Sequence, residues 1–92
     1  MKILIMAGTK PEAVKLAPVV RALRSLPGEE TVLAAYGQHR EILAQAFADF
    51  DLTPDYDLGV MSESQSLAQL SSRLFSSIDA LLDETAPDWV LA

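Results

Sequence analysis

The residues best suited to chemistry lie near the start of the chain, in the stretch GTKPEAVKLAP at positions 8–18. Lys10 and Lys15 bring two positive charges to this stretch. Thr9 and Glu12 have the spacing of a capping box, which predicts that a helix begins here. The N–H groups and positive dipole end of a helix N-terminus favour an anion. These residues therefore predict an anion site, with phosphate as the expected anion.

The segment before this stretch indicates how it would be positioned. Residues 3–7 form an apolar run that predicts a buried parallel strand, and Gly8 lets the chain turn from that strand into the helix. Most strand–turn–helix units in doubly wound α/β proteins bind no phosphate, and the stretch contains neither G-x-G-x-x-G nor G-x-x-x-x-G-K-[ST]. The residues alone leave open an anion site and an ordinary structural turn.

The rest of the chain predicts an α/β fold. The first helix is expected over residues 10–26, with a kink at Pro18, followed by a second buried strand over residues 31–36. A loop over residues 53–60 leads to a short third strand, and a fourth strand is expected over residues 88–92. The sequence thus predicts three to four parallel strands in a Rossmann-like sheet, with helices on both faces.

Helical spacing also predicts which side chains are buried. In the first helix, Val14, Ala17 and either Val20 or Arg21 keep helical spacing, and the predicted apolar side is widened by Leu16, Val19 and Leu23. The last helix, which Ser66 is expected to cap, is the longest element. Its predicted apolar stripe consists of Leu67, Leu70, Leu74, Ile78 and Leu81, broadened by Phe75 and Leu82.

Other polar residues favour ordinary roles. His39 lies in the second strand–helix turn without a partner at a recognisable spacing, which is typical of a structural histidine. Asp55 and Asp57 could be acid–base partners or metal ligands, but no third ligand has suitable spacing, so a solvated loop is the interpretation. Arg21 and Arg24 are interpreted as part of a solvated helix face.

Composition restricts the class of protein. The 92 residues suffice for one small core, and the chain has no cysteine for a disulfide framework. Residues 1–40 carry six basic and three acidic side chains, whereas residues 41–92 carry one basic and ten acidic side chains. Net acidity argues against nucleic acid as a partner, and the basic first half suits a small anionic ligand. No apolar run approaches the ~20 residues of a membrane span, so a cytoplasmic protein is expected.

The sequence resembles a known family. GTKPEAVKLAP is similar to GTRPEAIKMAP, the opening signature of the non-hydrolysing UDP-N-acetylglucosamine 2-epimerases. Further matches follow in order along the chain: QHRE at 38–41, PDYDL at 54–58, Met61, Gln65 and PDWVL at 87–91. Lys10 departs from the signature, which has arginine at this position. The departure matters because lysine cannot bind a phosphate with two parallel hydrogen bonds.

The resemblance implies a fold and an activity. It implies that residues 1–92 are part of the N-terminal Rossmann-like domain of a two-domain GT-B fold, stopping in the fourth strand, with the second domain absent. The implied enzyme is an isomerase that interconverts UDP-GlcNAc and UDP-ManNAc. It moves the C2 proton while UDP is eliminated and re-added, and it needs no metal or other cofactor. The implied setting is cytoplasmic synthesis of cell-envelope polysaccharide by a homodimer.

The resemblance also assigns residues. Lys10 and Lys15 match positions that contact UDP or the nucleotide-sugar. Gln38, Glu41 and Gln65 match the region where bacterial members hold a second, regulatory substrate molecule. The catalytic carboxylates and histidine of the family lie beyond these 92 residues. The chain by itself is therefore expected to be inactive.

Two other functions remain open at this point. A GT-B glycosyltransferase would share the opening strand–turn–helix unit and UDP binding, and a His-Gly-Asp-Thr segment downstream would distinguish the epimerase from it. A noncatalytic nucleotide-sugar-binding or assembly module would instead be stable and soluble as it stands.

Overall fold

The computed structural model describes residues 1–37, 40–58 and 66–92. Strands and helices alternate along the chain: β1 (Lys2–Ala7), α1 (Lys10–Arg24), β2 (Glu30–Tyr36), α2 (Arg40–Ala48), β3 (Tyr56–Leu58), α3 (Leu67–Thr85) and β4 (Trp89–Leu91). The four strands form one parallel sheet in the order β3-β2-β1-β4. This architecture confirms the predicted α/β class and the Rossmann-like sheet.

The two faces of the sheet pack against different helices, because successive side chains of a strand point to opposite faces. In β1, Ile5 and Ala7 face α1 and α2, whereas Leu4 and Met6 face α3. The first face also buries Leu33, Ala13, Ala17, Val20, Leu43, Ala46, Phe47 and Leu52. The second face is thinner and buries Val32, Ala34 and Leu81. Most of the core therefore lies between the sheet and the first two helices.

Helix α1 is shorter and rotated relative to the sequence prediction. It ends at Arg24, with Ser25 as the C-cap, rather than at residue 26, and it continues through Pro18. Ala17 and Val20 are buried as expected, but Val14 is 43% exposed and Ala13 takes its place in the core. Each residue turns the helix by about 100°, so the neighbouring position can face solvent.

Helix α3 begins where predicted. Ser66 accepts a hydrogen bond from the Gln69 N–H, and the Gln69 side chain accepts one from the Ser66 N–H, which completes a capping box. The predicted apolar stripe is only partly correct. Leu81 is buried, and Leu70, Leu74, Ile78 and Leu82 are half-buried. Leu67 is 78% exposed and Phe75 is 69% exposed, so their predicted burial is wrong.

Element length explains the exposed start of α3. A helix of 19 residues is ~28 Å long, whereas a six-residue strand such as β1 spans only ~20 Å. The carboxyl-terminal half of α3 packs on the sheet through Ile78, Leu81 and Leu82. The sequence pattern showed that α3 is amphipathic but not how much of its length the sheet covers.

The two outer strands are short. β3 lies within residues 53–60, where a loop was expected, rather than after them. The predicted fourth strand is confirmed as β4, which pairs with β1. Asp88 fixes its start: the Lys2 N–H donates to Asp88 Oδ2 at 2.7 Å, and the Asp88 N–H donates to the Lys2 carbonyl at 2.8 Å.

Candidate functional site

The strand order places a crevice beside β1. The chain moves from β1 outward to β2 and β3 and then returns through α3 to β4 on the other side of β1. In open parallel sheets, ligands bind at the carboxyl ends of the strands where the order reverses in this way. Here that point is the end of β1, and the predicted anion site follows directly after it.

The β1–α1 turn forms a helix cap that differs from the prediction in one contact. Thr9 is the N-cap, and its Oγ1 accepts a long hydrogen bond of 3.4 Å from the Glu12 N–H. The Glu12 carboxylate does not return to the Thr9 N–H but accepts from the Gly8 N–H at 2.9 Å. The predicted helix start is therefore confirmed, and the glutamate holds the residue before the cap.

The end of β2 packs closely against this turn. A Cβ at Gly8 would lie 2.5 Å from Cε2 of Tyr36, so the tyrosine ring occupies the space that a side chain would need. Gly37 has a φ of +120°, and a Cβ there would collide with the Gly8 carbonyl oxygen. Gly37 is required by this approach of two backbones and by its positive φ, whereas a side chain at Gly8 would displace the Tyr36 ring. The sequence did not indicate the role of Tyr36, because Gly8 is distant from it in sequence and only the pairing of β1 with β2 brings the two together.

Tyr36 also has an altered titration. Burial, and secondly the nearby negative charge of Glu12, raises the pKa of its phenol above the ordinary value. The hydroxyl therefore stays protonated at neutral pH and remains a hydrogen-bond donor at the edge of the site.

The two predicted lysines lie on different sides of α1. Lys10 is the first residue of the helix and is exposed, and Lys15 is exposed further along it. Five residues correspond to about 140° of rotation and ~7.5 Å of rise. Neither lysine forms an ion pair with any residue in the described parts of the chain. Both ammonium groups can therefore bind an anion, but their side chains must converge from different directions.

Lys10 also lines a groove between α1 and α2. The groove has a volume of about 340 Å³ and is lined by Lys10, Glu41, Ile42, Gln45, Ala46 and Asp49. Glu41 lies in the first turn of α2 and is exposed. The structure thus brings one predicted ligand-binding lysine and one predicted regulatory residue to the same groove. Gln38, His39 and Gln65 lie outside the described residues, so their predicted roles stay predictions.

Two exposed residues that were interpreted as solvated also form a structural link. Arg24 Nη2 lies 2.9 Å from Asp55 Oδ2, and the same carboxylate oxygen accepts the Leu33 N–H at 2.8 Å. Arg24 also donates to the Thr31 carbonyl at 3.4 Å. Asp55 therefore ties α1 to β2 just before β3 begins. Both residues are exposed, as the solvated interpretation expected, and they also form a structural contact. Asp57 lies in β3 itself.

Residues 1–37, 40–58 and 66–92 contain no group of three or more histidine, cysteine, aspartate or glutamate residues placed to hold a metal ion. None of the helices found in them is long and apolar enough to cross a membrane.

The fold defines a class of protein, the Rossmann-like α/β proteins with an open parallel sheet, in which the carboxyl ends of the strands are the usual place for a ligand. Comparison with known proteins identifies the family. The family model described as UDP-N-acetylglucosamine 2-epimerase matches residues 21–92, and the chain belongs to this family. The chain is 42% identical to the UDP-N-acetylglucosamine 2-epimerase of Escherichia coli K12 over 91 residues, which is 99% of this chain and 24% of the relative.

Solved structures agree with this assignment. The UDP-GlcNAc 2-epimerase of Neisseria meningitidis bound to UDP-GlcNAc has a TM-score of 0.88 and 38% identity, covering 98% of this chain and 25% of that one. A co-structure of the S. aureus MnaA protein with UDP has a TM-score of 0.87 and 35% identity, and the match covers 97% of this chain and 23% of that one. These likenesses confirm the predicted Rossmann-like sheet of the GT-B type and do not favour the glycosyltransferase alternative. The chain spans about a quarter of the length of the relatives it matches.

Proposed function

We propose that this chain supplies the first part of the nucleotide-binding domain of a UDP-GlcNAc 2-epimerase, an isomerase. In this proposal, UDP binds at the carboxyl end of β1, and Lys10 and Lys15 neutralise its phosphates. The full domain is the N-terminal half of a two-domain protein that closes over the nucleotide-sugar. The product is UDP-ManNAc, and it serves cell-envelope polysaccharide synthesis.

One observation carries the proposal: the turn after β1 lies at the reversal point of the sheet and presents a lysine that has no partner among the described residues. A diphosphate needs donors and positive charge at one place, and a helix N-terminus with a nearby lysine offers both. The solved relatives described as bound to UDP-GlcNAc and to UDP support the choice of nucleotide.

The proposed reaction divides the work between binding and proton transfer. A base removes the proton at C2 and UDP leaves from C1, which gives a glycal intermediate. UDP then adds back to C1, and C2 receives a proton on the face opposite to the one it lost. Lys10 and Lys15 would stabilise the charge that grows on UDP as the C1–O bond breaks. These residues bind and orient the leaving group, and the base and acid are proposed to lie in the further three quarters of the relatives' length.

A regulatory site is proposed beside the nucleotide site. Glu41, with Gln38 and Gln65, would hold a second substrate molecule, and the groove shared by Lys10 and Glu41 supports this placement. The proposal predicts that, in the proposed two-domain enzyme, the substitution Glu41→Ala reduces activation by substrate. Unchanged activation curves in that variant would contradict it.

Assembly and location are proposed as well. The exposed Leu67 and Phe75 give α3 an apolar surface of the kind that marks protein contacts, which supports a homodimer. Sedimentation of the longer enzyme with Phe75→Ser should then show a shift from dimer towards monomer. The absence of cysteine fits a reducing cytoplasm.

Titration calorimetry with UDP tests the nucleotide site. Lys15→Ala should weaken UDP binding by about 1.5–3 kcal/mol, the range for hydrogen bonds to charged groups. Arg21→Ala is the matched control, because it removes an exposed cation from the last turn of the same helix, away from the β1 end. Equal losses in both variants would indicate a general charge effect, and unchanged affinity in Lys15→Ala would remove Lys15 from the site.

A further inference from the structure

Glu12 makes a contact that its place in the helix does not require. A carboxylate at this position of a capping box normally accepts the N–H of the cap residue. Here it reaches one residue further back and accepts the Gly8 N–H at 2.9 Å in a partly buried position. The contact joins the last residue of the turn from β1 to the first turn of α1.

This contact determines which backbone donors the turn can offer. Pro11 has no N–H, and the Glu12 N–H is already donated to Thr9 Oγ1. With the Gly8 N–H held by Glu12, the described hydrogen bonds leave the N–H groups of Thr9 and Lys10 to face an incoming ligand. The direction of the Thr9 N–H depends on the conformation of Gly8, because Thr9 N belongs to the peptide that follows Gly8 and a glycine restricts that peptide less than other residues do.

The opposite side of the turn is closed by β2. The Tyr36 ring fills the space beside Gly8, and the Gly37 backbone lies against the Gly8 carbonyl. Gly8 is therefore held on one side by packing and on the other by the Glu12 carboxylate. Of these restraints, only the carboxylate belongs to the helix that carries Lys10.

We propose that Glu12 is a positioning residue for the nucleotide: by holding the Gly8 amide, it directs the Thr9 N–H, next to Lys10, towards the phosphates. The inference rests on the proposed nucleotide site. Glu12 serves this role through the length of its side chain. Its negative charge has two opposing effects, because it interacts favourably with the helix N-terminus but repels a phosphate. A neutral side chain of the same length should therefore serve equally well.

Two substitutions separate reach from charge. Glu12→Gln keeps the length and an oxygen acceptor but removes the charge, and it should bind UDP as tightly as the unmodified chain or a few-fold more tightly. Glu12→Asp keeps the charge but is one methylene too short for Gly8, and it should raise the Kd for UDP about tenfold. Asp83→Asn, a charge removal on the exposed side of α3, is the control and should change nothing.

The experiment is UDP titration calorimetry combined with thermal melts of the same samples. A role confined to helix stability would lower the melting temperature of Glu12→Asp without changing the Kd measured well below it, and this result would overturn the proposal. Weakened binding in Glu12→Gln would also overturn it, because charge would then be the useful property. Failure of the unmodified chain to bind UDP would refute the nucleotide site instead.

Discussion

Lys10 begins α1 at the edge where the sheet order reverses, and its replacement of the family's arginine has a measurable consequence. Lysine presents a single compact charge, whereas a guanidinium can donate two parallel hydrogen bonds to a phosphate. Lys10→Arg should therefore leave the UDP affinity unchanged or increase it by up to about tenfold. Surface plasmon resonance with immobilised protein would measure the change. A severe loss would show that the groove with Glu41 selects the smaller ammonium group.

Asp55 shows how one oxygen can serve two contacts of unequal value. The pair with Arg24 is partly exposed, with side-chain exposures of 34% and 45%, so the ion pair itself should contribute no more than ~1 kcal/mol. The hydrogen bond from the Leu33 N–H is different, because Leu33 is fully buried and its amide would lose its partner.

Urea unfolding can separate these two contacts. Asp55→Ala should lower the free energy of unfolding by about 1–3 kcal/mol, the cost of an unsatisfied buried donor. Arg24→Ala should lower it by no more than ~1 kcal/mol. If the arginine variant is the less stable of the two, the link between α1 and β3 depends on the ion pair rather than on the Leu33 amide.

At the scale of elements, sequence periodicity predicted the helices and strands well but their burial less well. The position of α1 after β1 could be predicted because Thr9 and Glu12 act locally. The exposure of Val14 and Phe75 could not, because it depends on the rotation and overhang of each helix on the sheet. The contacts of Tyr36 with Gly8 and of Asp55 with Leu33 could not be predicted for a related reason. The partners are distant in sequence and are brought close only by strand pairing.

The partial coverage of α3 makes a testable difference between two leucines of the same helix. Leu81 is 2% exposed, and Leu81→Ala should lower the free energy of unfolding by about 2–5 kcal/mol through the cavity it leaves. Leu67 is 78% exposed in the first turn, so Leu67→Ala should change stability by no more than about 0.5 kcal/mol. Chemical denaturation of the two variants compares them directly, and equal losses would mean that the start of α3 is packed in solution.

At the scale of the molecule, the 92 residues combine two lysines of the proposed nucleotide site with a net charge of −6. The described carboxylates near the carboxyl edge of the sheet include Glu12, which accepts the Gly8 N–H, Glu41, which lines the groove, and Asp57, which lines a small cavity with Tyr36 and Gly37. Glu41 and Asp57 are both exposed. Proton exchange at C2 needs a base and an acid on opposite faces of the sugar. We therefore expect these 92 residues on their own not to exchange the C2 proton of UDP-GlcNAc.

Incubation with UDP-GlcNAc in deuterated water, followed by NMR, would measure that exchange. The UDP-N-acetylglucosamine 2-epimerase of Escherichia coli K12 serves as the positive control and buffer as the negative control. Deuterium incorporation by the 92-residue polypeptide well above the buffer level would show that the essential acid and base already lie within it.

The central claim is that the nucleotide binds at the carboxyl end of β1. Titration of UDP-GlcNAc into the ¹⁵N-labelled chain, followed by amide chemical shifts, tests it most directly. The account predicts that the largest shifts occur at Gly8, Thr9 and Lys10, with a smaller response at Gly37 and none at Ser25 and Glu29 on the opposite edge. Shifts concentrated on that opposite edge, or spread evenly over the chain, would contradict the account.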